Sequence, residues 1–300
     1  MKEEIRDWFK DLQRDICLQL EEADTAGKFI HDVWDRPGGG GGDTRLLTNG
    51  KIIEKGGVNF SAVWGKTQEH VLKSIQVPAG ENPEFFATGV SIVMHPFNPM
   101  VPIIHMNVRY FEMSNGTWWF GGGIDLTPHY VKPADAKHFH QQLKSACDNH
   151  HPSYYPEFKR WADDYFFIRH RNETRGVGGI FFDYLKGEAP FTRTSRFDFV
   201  KAVGNSFAPI YTYFMNKNHL LPFSENEKHW QNLRRGRYVE FNLVWDRGTK
   251  FGLDTDGRTE SILMSLPPIA QWASNYHPQP SSEEEKTLSF LRKGIDWINS

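Results

Sequence analysis

Residues 105 to 109, His-Met-Asn-Val-Arg, alternate polar and apolar side chains with the period of two of a β-strand. This pattern predicts a strand with one face on a core. The other face carries His105, Asn107 and Arg109. A proton carrier, an amide and a bidentate anion clamp in one line suit a site that holds a carboxylate and moves a proton beside it. The structural alternative is that these side chains satisfy core polar groups and pair with an acid.

Composition restricts the class of ligand. The chain has 300 residues, of which 39% are hydrophobic, so it can bury a sizeable core. A formal net charge of −2 provides no broad basic field for nucleic acid or anionic lipid. Aromatic residues make up 14% of the chain, which favours either a pocket for a flat apolar ligand or a core rich in rings. We therefore expect a small-molecule substrate and no nucleic-acid partner.

Cysteine usage and hydropathy bear on the compartment. The two cysteines, Cys17 and Cys147, are far apart and outside any Cys-x-x-Cys pattern. This argues against disulfides, zinc knuckles and iron–sulfur clusters. The sequence opens without an apolar leader, and no stretch approaches the roughly 18 apolar residues that a membrane span needs. We expect a soluble, cytoplasmic protein with no membrane span.

Periodicity predicts one α+β domain over residues 1–300, built on a large antiparallel β-sheet. Apolar residues recur at helical spacing from Ile5 to Leu20 and predict an N-terminal helix. Strand-like segments at 89–94, 103–111 and 117–120 predict an antiparallel meander. Further helices are predicted after Pro133, around 158–165, over 195–216 with a kink at Pro209, and after a capping box of Ser282 and Glu285.

Less regular segments give three further expectations. The five glycines from Gly38 to Gly42 are expected to break regular structure, as a loop that closes over a ligand or as a linker with no role. Residues 237–245 alternate and predict a strand, followed by a turn at 246–248 and a strand over 260–266. No phosphate-binding loop and no helix-opening Gly-x-Gly-x-x-Gly occurs, so nucleotide cofactors are not indicated.

Asp125 follows a run of aromatic residues and glycines that begins at Trp118. If the strand at 117–120 pairs with the strand that contains Arg109, Asp125 lies near the polar face of that strand. A nearby guanidinium keeps such an acid ionised and available as a hydrogen-bond acceptor or base. The alternative is an Asx-turn that caps the bend at Thr127 and Pro128.

Histidines and arginines supply two more constellations. Four histidines lie on two predicted strands and two predicted helices: His95, His105, His140 and His170. They would form a metal site if the fold brings them together. No metal-ligand spacing supports this site, and the alternative is that all four are structural histidines. Arginines suit carboxylates because the guanidinium fork donates two hydrogen bonds. Most are expected in structural ion pairs. Arg258, on a turn with Gly257, is the strongest substrate candidate after Arg109.

Long motifs give the chain a recognisable pattern over almost its whole length. It closely resembles the oxygen-dependent coproporphyrinogen III oxidases of the bacterial aerobic type. The matching blocks are residues 57–61, 90–99, 105–112, 118–128, 170–183 and 234–268, the last with Arg-Gly-Arg-Tyr-Val-Glu-Phe-Asn-Leu-Val-Trp-Asp-Arg-Gly-Thr. One departure is Tyr184, which stands where the family usually carries a second aspartate after Asp183.

The resemblance implies oxidative decarboxylation of two propionates of coproporphyrinogen III to vinyl groups. The products would be protoporphyrinogen IX, carbon dioxide and hydrogen peroxide, with dioxygen as co-substrate, in haem biosynthesis. The fold that the resemblance implies is α+β, with a large, mostly antiparallel β-sheet flanked by helices on both faces. The resemblance also implies a homodimer, with contacts from His170 and from the segment Tyr238 to Ala273. No flavin, nicotinamide, haem or iron–sulfur cluster is expected.

Site residues follow from the same resemblance. His105 would be the proton donor, Asp125 would act on a pyrrole N–H, and Arg109 would clamp a propionate. Substrate contacts would come from Ser91, Asn107, Val108, Arg109, Asp256, Gly257 and Arg258. The four histidines match positions described as divalent-metal ligands in bacterial members, whereas other members are regarded as metal-free. A histidine-ligated iron oxygenase and a porphyrin carrier without chemistry are the alternative classes.

Overall fold

The computed structural model describes residues 1–66, 83–254 and 257–299. Its centre is a seven-stranded antiparallel sheet in which the first six strands follow chain order and the ninth lies beside the sixth. The strands of this sheet are β1 (Ile30–Asp35), β2 (Gly40–Thr48), β3 (Ile53–Lys66), β4 (Glu84–Pro96), β5 (Ile103–Met113), β6 (Trp118–Thr127) and β9 (Gly179–Leu185). Two short strands, β7 (Phe167–Ile168) and β8 (Glu173–Thr174), pair separately. The predicted α+β class and the antiparallel meander are confirmed.

Helices lie before, between and after the strands. Their bounds are α1 (Lys2–Asp24), α2 (Pro133–Asp148), α3 (Tyr154–Tyr165), α4 (Arg193–Asn218), α5 (Glu225–Glu240), α6 (Arg247–Asp254), α7 (Thr259–Leu263) and α8 (Glu283–Phe290), with a π-helix at Phe241–Trp245. The predicted N-terminal helix, the helix that opens with Pro133 and the helix that contains Pro209 are all present. Among the described residues, no helix is long and apolar enough to cross a membrane.

The two faces of the sheet differ in character. One face is apolar and packs on the first four helices, where buried residues of α1 such as Phe9 and Ile16 join Val90, Met106 and Val108 in one core. Burial of each such side chain stabilises the fold by roughly 1.5 to 3 kcal/mol. The opposite face carries polar and small residues and is partly covered by the segment from α5 to α7. Helices therefore lie on both faces, as predicted.

The predicted strand at residues 237–245 is wrong. These residues continue α5 and then form the π-helix, and Tyr238 and Phe241 are both buried on one side of it. The alternation in sequence does not decide the structure, because α5 buries Arg234 and Arg235, polar residues that hide the helical period. The predicted turn at 246–248 opens α6, and the predicted strand at 260–266 overlaps the short helix α7.

The expected break at the glycine run is also wrong in part. Gly40, Gly41 and Gly42 belong to β2 and pair with β3, and the turn is confined to the residues before them. At the C-terminus, Ser282 caps α8 by accepting from the backbone N–H of Glu285. The Glu285 carboxylate returns to the N–H of Ser281 rather than to that of Ser282, so the predicted capping box is displaced by one residue.

Candidate functional site

The register of the sheet aligns polar residues in rows across its open face. One row runs through five paired strands: Thr44, Asn59, Ser91, Asn107 and Gly123. Each of these residues is the Cα partner of the next, so their side chains share one face. The Thr44 hydroxyl donates to the Asn59 amide oxygen at 2.7 Å. Ser91 and Asn107, both predicted substrate contacts, are therefore neighbours on this face.

Glycines line the floor of the adjacent row. Gly42, Ser61, Gly89, Arg109 and Gly121 are paired in that order across the sheet. Three of the five lack side chains, so neighbouring groups approach the backbone closely here. Trp34 lies over Gly42, and Arg109 and Asp183 lie over Gly121. We call the strip of the polar face along these two rows the groove. Arg109 is the residue of this row whose side chain carries a charge.

Asp125 lies within β6 and is the Cα partner of His105. The Asx-turn alternative for Asp125 is therefore wrong. The His105 Nδ1 atom lies 2.8 Å from an Asp125 carboxylate oxygen. The aspartate side chain is 1% exposed, whereas the histidine side chain is 21% exposed. Within the described part of the chain, the second ring nitrogen of His105 has no hydrogen-bond partner. The imidazole thus stands between the carboxylate and the groove.

Arg175 completes this arrangement, and sequence reasoning missed it. Its Nη2 and Nε atoms donate to the two oxygens of Asp125 at 2.6 and 3.1 Å. The guanidinium also lies 4.4 Å from the ring centroid of Phe166, 4.8 Å from that of Tyr238 and 4.6 Å from that of Phe241. Such cation–π contacts stabilise a desolvated cation. The sequence placed Arg175 only in a general group of arginines.

Electrostatics keep the Asp125 carboxylate ionised. Burial by itself raises the pKa of Asp125, but the charge of Arg175 and the hydrogen bond from His105 outweigh burial, and the pKa is lowered. An ionised carboxylate accepts from the His105 ring and fixes its orientation. The arrangement is able to hold a proton at the edge of the groove.

Arg109 has two partners within the groove. Its Nη2 atom donates to Asp183 of β9 at 2.7 Å, and its Nη1 atom donates to the Asn107 amide oxygen at 3.0 Å. The side chain is 39% exposed, so the remaining guanidinium hydrogens face water. Arg109 is therefore able to bind a further carboxylate in the groove by donating these hydrogens to it.

Arg258 lies at the far end of the polar row. It donates to Asp32 of β1 at 2.5 Å and to the Ser261 hydroxyl at 3.2 Å. The Ser261 hydroxyl in turn lies 2.7 Å from that of Thr44. Gly257 is required beside it, since a Cβ there would come within 2.6 Å of a backbone oxygen. The predicted contact Asp256 lies outside the described residues.

Val108 differs from the other predicted contacts. Its side chain is fully buried on the apolar face of the sheet. The groove therefore offers its neighbours Asn107 and Arg109, whose side chains point the other way. A substrate contact by the Val108 side chain is not available from the groove.

The four predicted metal ligands do not meet within one chain. His95 contacts the backbone oxygen of Ser265, and His170 lies in the turn between β7 and β8, bonded to Glu240. Both ring nitrogens of His140 are already occupied, one by the Tyr155 hydroxyl and one by a backbone oxygen, each at 2.9 Å. Over residues 1–66, 83–254 and 257–299, no group of three His, Cys, Asp or Glu side chains is placed to hold a metal ion. The residues of a single chain do not fit a metal, and the ligand assignment stays a prediction.

The predicted dimer segment presents apolar side chains to solvent. Leu243, Val244, Phe251, Ile269 and Trp272 are each between about two fifths and just over half exposed. His170, the other predicted dimer contact, donates to Glu240 of this segment at 2.7 Å. A surface of this kind is typical of a protein–protein contact.

Comparisons with known proteins identify the family of the chain. The family model described as coproporphyrinogen III oxidase matches residues 4–297. A relative from Prochlorococcus marinus, named oxygen-dependent coproporphyrinogen-III oxidase, is 46% identical over 98% of this chain and 92% of its own length. Relatives of the same name from Drosophila melanogaster and, as a chloroplastic form, from Glycine max are 49% and 47% identical over 96% of this chain, and the match covers 76% and 77% of their lengths. The chain belongs to the coproporphyrinogen III oxidase family.

Proposed function

We propose that this protein catalyses the oxygen-dependent oxidative decarboxylation of two propionates of coproporphyrinogen III to vinyl groups. The products are protoporphyrinogen IX, carbon dioxide and hydrogen peroxide, and the reaction is a step of haem biosynthesis. For each side chain, one dioxygen and one proton are consumed as one carbon dioxide and one hydrogen peroxide are released. The observation that carries the proposal is the groove in which His105, Asn107 and Arg109 stand in line beside a glycine floor.

The groove suits a flat polyanion. Arg109 lies on β5, and Arg258 is bonded to Asp32 on β1, four strand spacings away. Neighbouring strands lie about 4.7 to 4.9 Å apart, so β1 and β5 are separated by roughly 19 Å. A macrocycle between them would present one propionate to each guanidinium, while Ser91 and Asn107 contact the ring between them. Asp256 and Gly257 stay predicted substrate contacts beside Arg258.

The proton chemistry is assigned to His105 and Asp125. A pyrrole N–H in the groove meets the imidazole before the carboxylate, since Asp125 is covered by His105 and Arg175. We assign the pyrrole proton to the free His105 nitrogen and assign Asp125 to stabilising the resulting imidazolium. Loss of that proton raises the electron density of the ring, to which dioxygen adds. A direct contact between Asp125 and pyrrole, as the resemblance implies, requires His105 to move aside.

Dioxygen is the co-substrate in this scheme, and no step is routed through a metal. The four histidines of one chain lie in separate environments, and burial lowers the pKa of His140 to about 4, so its ring is neutral and already hydrogen-bonded. We further propose a homodimer that covers the exposed apolar residues of the segment 238–273. Sedimentation of the wild type and of Trp272→Asp tests it, with a dimer expected for the first and a monomer for the second.

Oxygen uptake tests the function directly. Coproporphyrinogen III is prepared anaerobically and mixed with enzyme and air, with and without a chelator, and the product is read by fluorescence after oxidation. We expect oxygen consumption that persists in the chelator, with hydrogen peroxide formed in step with carbon dioxide. Binding without oxygen uptake would identify a carrier, and loss of activity with chelator would identify a metal oxygenase.

A matched variant links the activity to the groove. Asp125→Ala is expected to abolish turnover and to leave substrate affinity within about an order of magnitude, because the carboxylate acts on the proton rather than on the propionates. Near-normal turnover of this variant would contradict the assigned role of Asp125.

A further inference from the structure

The pairing of β6 with β9 contains an irregularity beside Arg109. Phe120 pairs with Leu185 and Gly122 pairs with Phe182, so β9 uses three steps where β6 uses two. Asp183 and Tyr184 lie in this β-bulge, opposite Gly121. Bulges are frequent beside active sites, where they free a side chain from the regular ladder.

Two further features fix the position of Asp183. Tyr184 has a φ of 50°, in the left-handed region that non-glycine residues rarely adopt, and its backbone N–H donates to Asp183 Oδ1 at 2.9 Å. Gly121 lies opposite, and a Cβ there would displace the contact, since it would lie 2.5 Å from that oxygen and 3.0 Å from the Arg109 Cζ atom. A strained residue, a bulge and a glycine thus all serve one contact.

That contact occupies the predicted propionate clamp. The second Asp183 oxygen accepts from Arg109 Nη2 at 2.7 Å, which is the geometry expected of a bound carboxylate. The pair is open to water, with side-chain exposures of 39% for Arg109 and 20% for Asp183. Ion pairs of this kind contribute little to stability, so a ligand carboxylate is able to replace Asp183.

We propose that Asp183 is a resident carboxylate that exchanges with the substrate propionate at Arg109. The inference rests on the proposed function, in which Arg109 clamps a propionate. Decarboxylation destroys the anion that Arg109 holds, and the departing carbon dioxide leaves the guanidinium without a partner. Asp183 returns to Arg109 at that point, which releases the vinyl product edge and frees the macrocycle to present its second propionate.

Affinity for a propionate-bearing macrocycle tests the exchange. The probe is coproporphyrin III, the stable oxidised ring with the same four propionates, and binding is followed by fluorescence titration without turnover. Asp183→Asn keeps the shape and removes the charge, so the competing anion is lost. The control is Asp164→Asn on α3, which removes the same charge from a half-exposed pair with Lys293 away from the groove.

We expect the Kd of Asp183→Asn to fall three- to tenfold and that of Asp164→Asn to stay within twofold of the wild type. An unchanged or raised Kd for Asp183→Asn, or an equal fall in both variants, would overturn the exchange. Wild-type enzyme that neither binds the probe nor consumes oxygen with coproporphyrinogen refutes the proposed function itself, and that result is recognisable before any variant is compared.

Discussion

Two arginine–aspartate pairs lie on the same face of the sheet and differ in their burial and in their surroundings. The pair of Arg175 and Asp125 is 2% and 1% exposed, and the pair of Arg109 and Asp183 is 39% and 20% exposed. Breaking a buried pair leaves an uncompensated charge in a low dielectric, whereas an exposed pair is replaced by water at little cost. Burial thus makes one pair a fixed support for His105 and leaves the other free to exchange partners.

The surroundings of the two pairs strengthen this difference. Three aromatic rings enclose Arg175, and two of them, Tyr238 and Phe241, come from α5 and the π-helix. Arg109 instead shares its guanidinium between Asp183 and Asn107 at the edge of the groove. π-helical segments are often found at functional sites. Here the segment supplies the cover that keeps water from Asp125.

The largest expected effect on stability comes from breaking the buried pair. Arg175→Met should lower the free energy of unfolding by about 3 to 5 kcal/mol, because Asp125 is then buried without a cation. Arg109→Met is the matched comparison and should cost about 1 kcal/mol or less. Urea unfolding of both variants checks this, and equal losses would show that burial does not separate the two pairs.

A second buried carboxylate, that of Asp24, tests whether a buried carboxylate needs a neighbouring cation to contribute to stability. Asp24, at the end of α1, accepts from the backbone N–H groups of Gly27, Lys51, Ile52 and Ile53 at 2.6 to 2.9 Å. Charged hydrogen bonds contribute roughly 1.5 to 3 kcal/mol each. Because a neutral amide in place of this carboxylate would keep only part of the set, we expect Asp24→Asn to cost about 2 to 3 kcal/mol at neutral pH, measured by urea unfolding.

The same carboxylate predicts the direction of a pH effect. Burial raises the pKa of Asp24, but the backbone donors outweigh burial and lower it. A lowered folded-state pKa gives stability that is complete above the unfolded value of about 3.9 and is lost as the pH falls through the folded pKa. The difference in unfolding free energy between wild type and Asp24→Asn should therefore shrink below about pH 4. A difference that grows on acidification would contradict the assignment.

The smallest effect concerns the glycine below the exposed pair. Gly121→Ala places a methyl group 2.5 Å from Asp183 Oδ1 and 3.0 Å from Arg109 Cζ. Displacement of the guanidinium should raise the KM for coproporphyrinogen about fivefold, a loss of about 1 kcal/mol. Gly248→Ala, whose nearest contact would be 3.3 Å away, is the control and should leave KM unchanged. A similar KM for both variants would show that Arg109 does not depend on the glycine floor.

The sequence predicted what depends on local period and failed where long-range burial decides. The alternation of β5 was enough to place His105, Asn107 and Arg109 on one face, because a strand has a period of two whatever its neighbours are. Asp125 followed from the pairing of two adjacent strands. The helical segment at 237–245 was missed because the helix that it continues, α5, buries Arg234 and Arg235, which a hydrophobic pattern counts as exposed.

The role of Arg175 could not be predicted from local sequence patterns either. It lies 50 residues from Asp125 along the chain, and no helical or strand period connects the two residues. One signal was present: Gly176 follows it, and a Cβ there would clash with the Leu126 backbone oxygen. A glycine that permits such close approach brings the preceding arginine beside β6.

Steady-state kinetics of two variants test most directly whether the buried pair serves chemistry and the exposed pair serves binding. With coproporphyrinogen in air, Asp125→Asn should lower kcat by about 100- to 10,000-fold and keep KM within about threefold, because only proton transfer is lost. Arg109→Met should raise KM by about ten- to a hundredfold with a much smaller change in kcat. The same pattern in both variants, or near-normal kcat in Asp125→Asn, would contradict the division of roles between the two pairs.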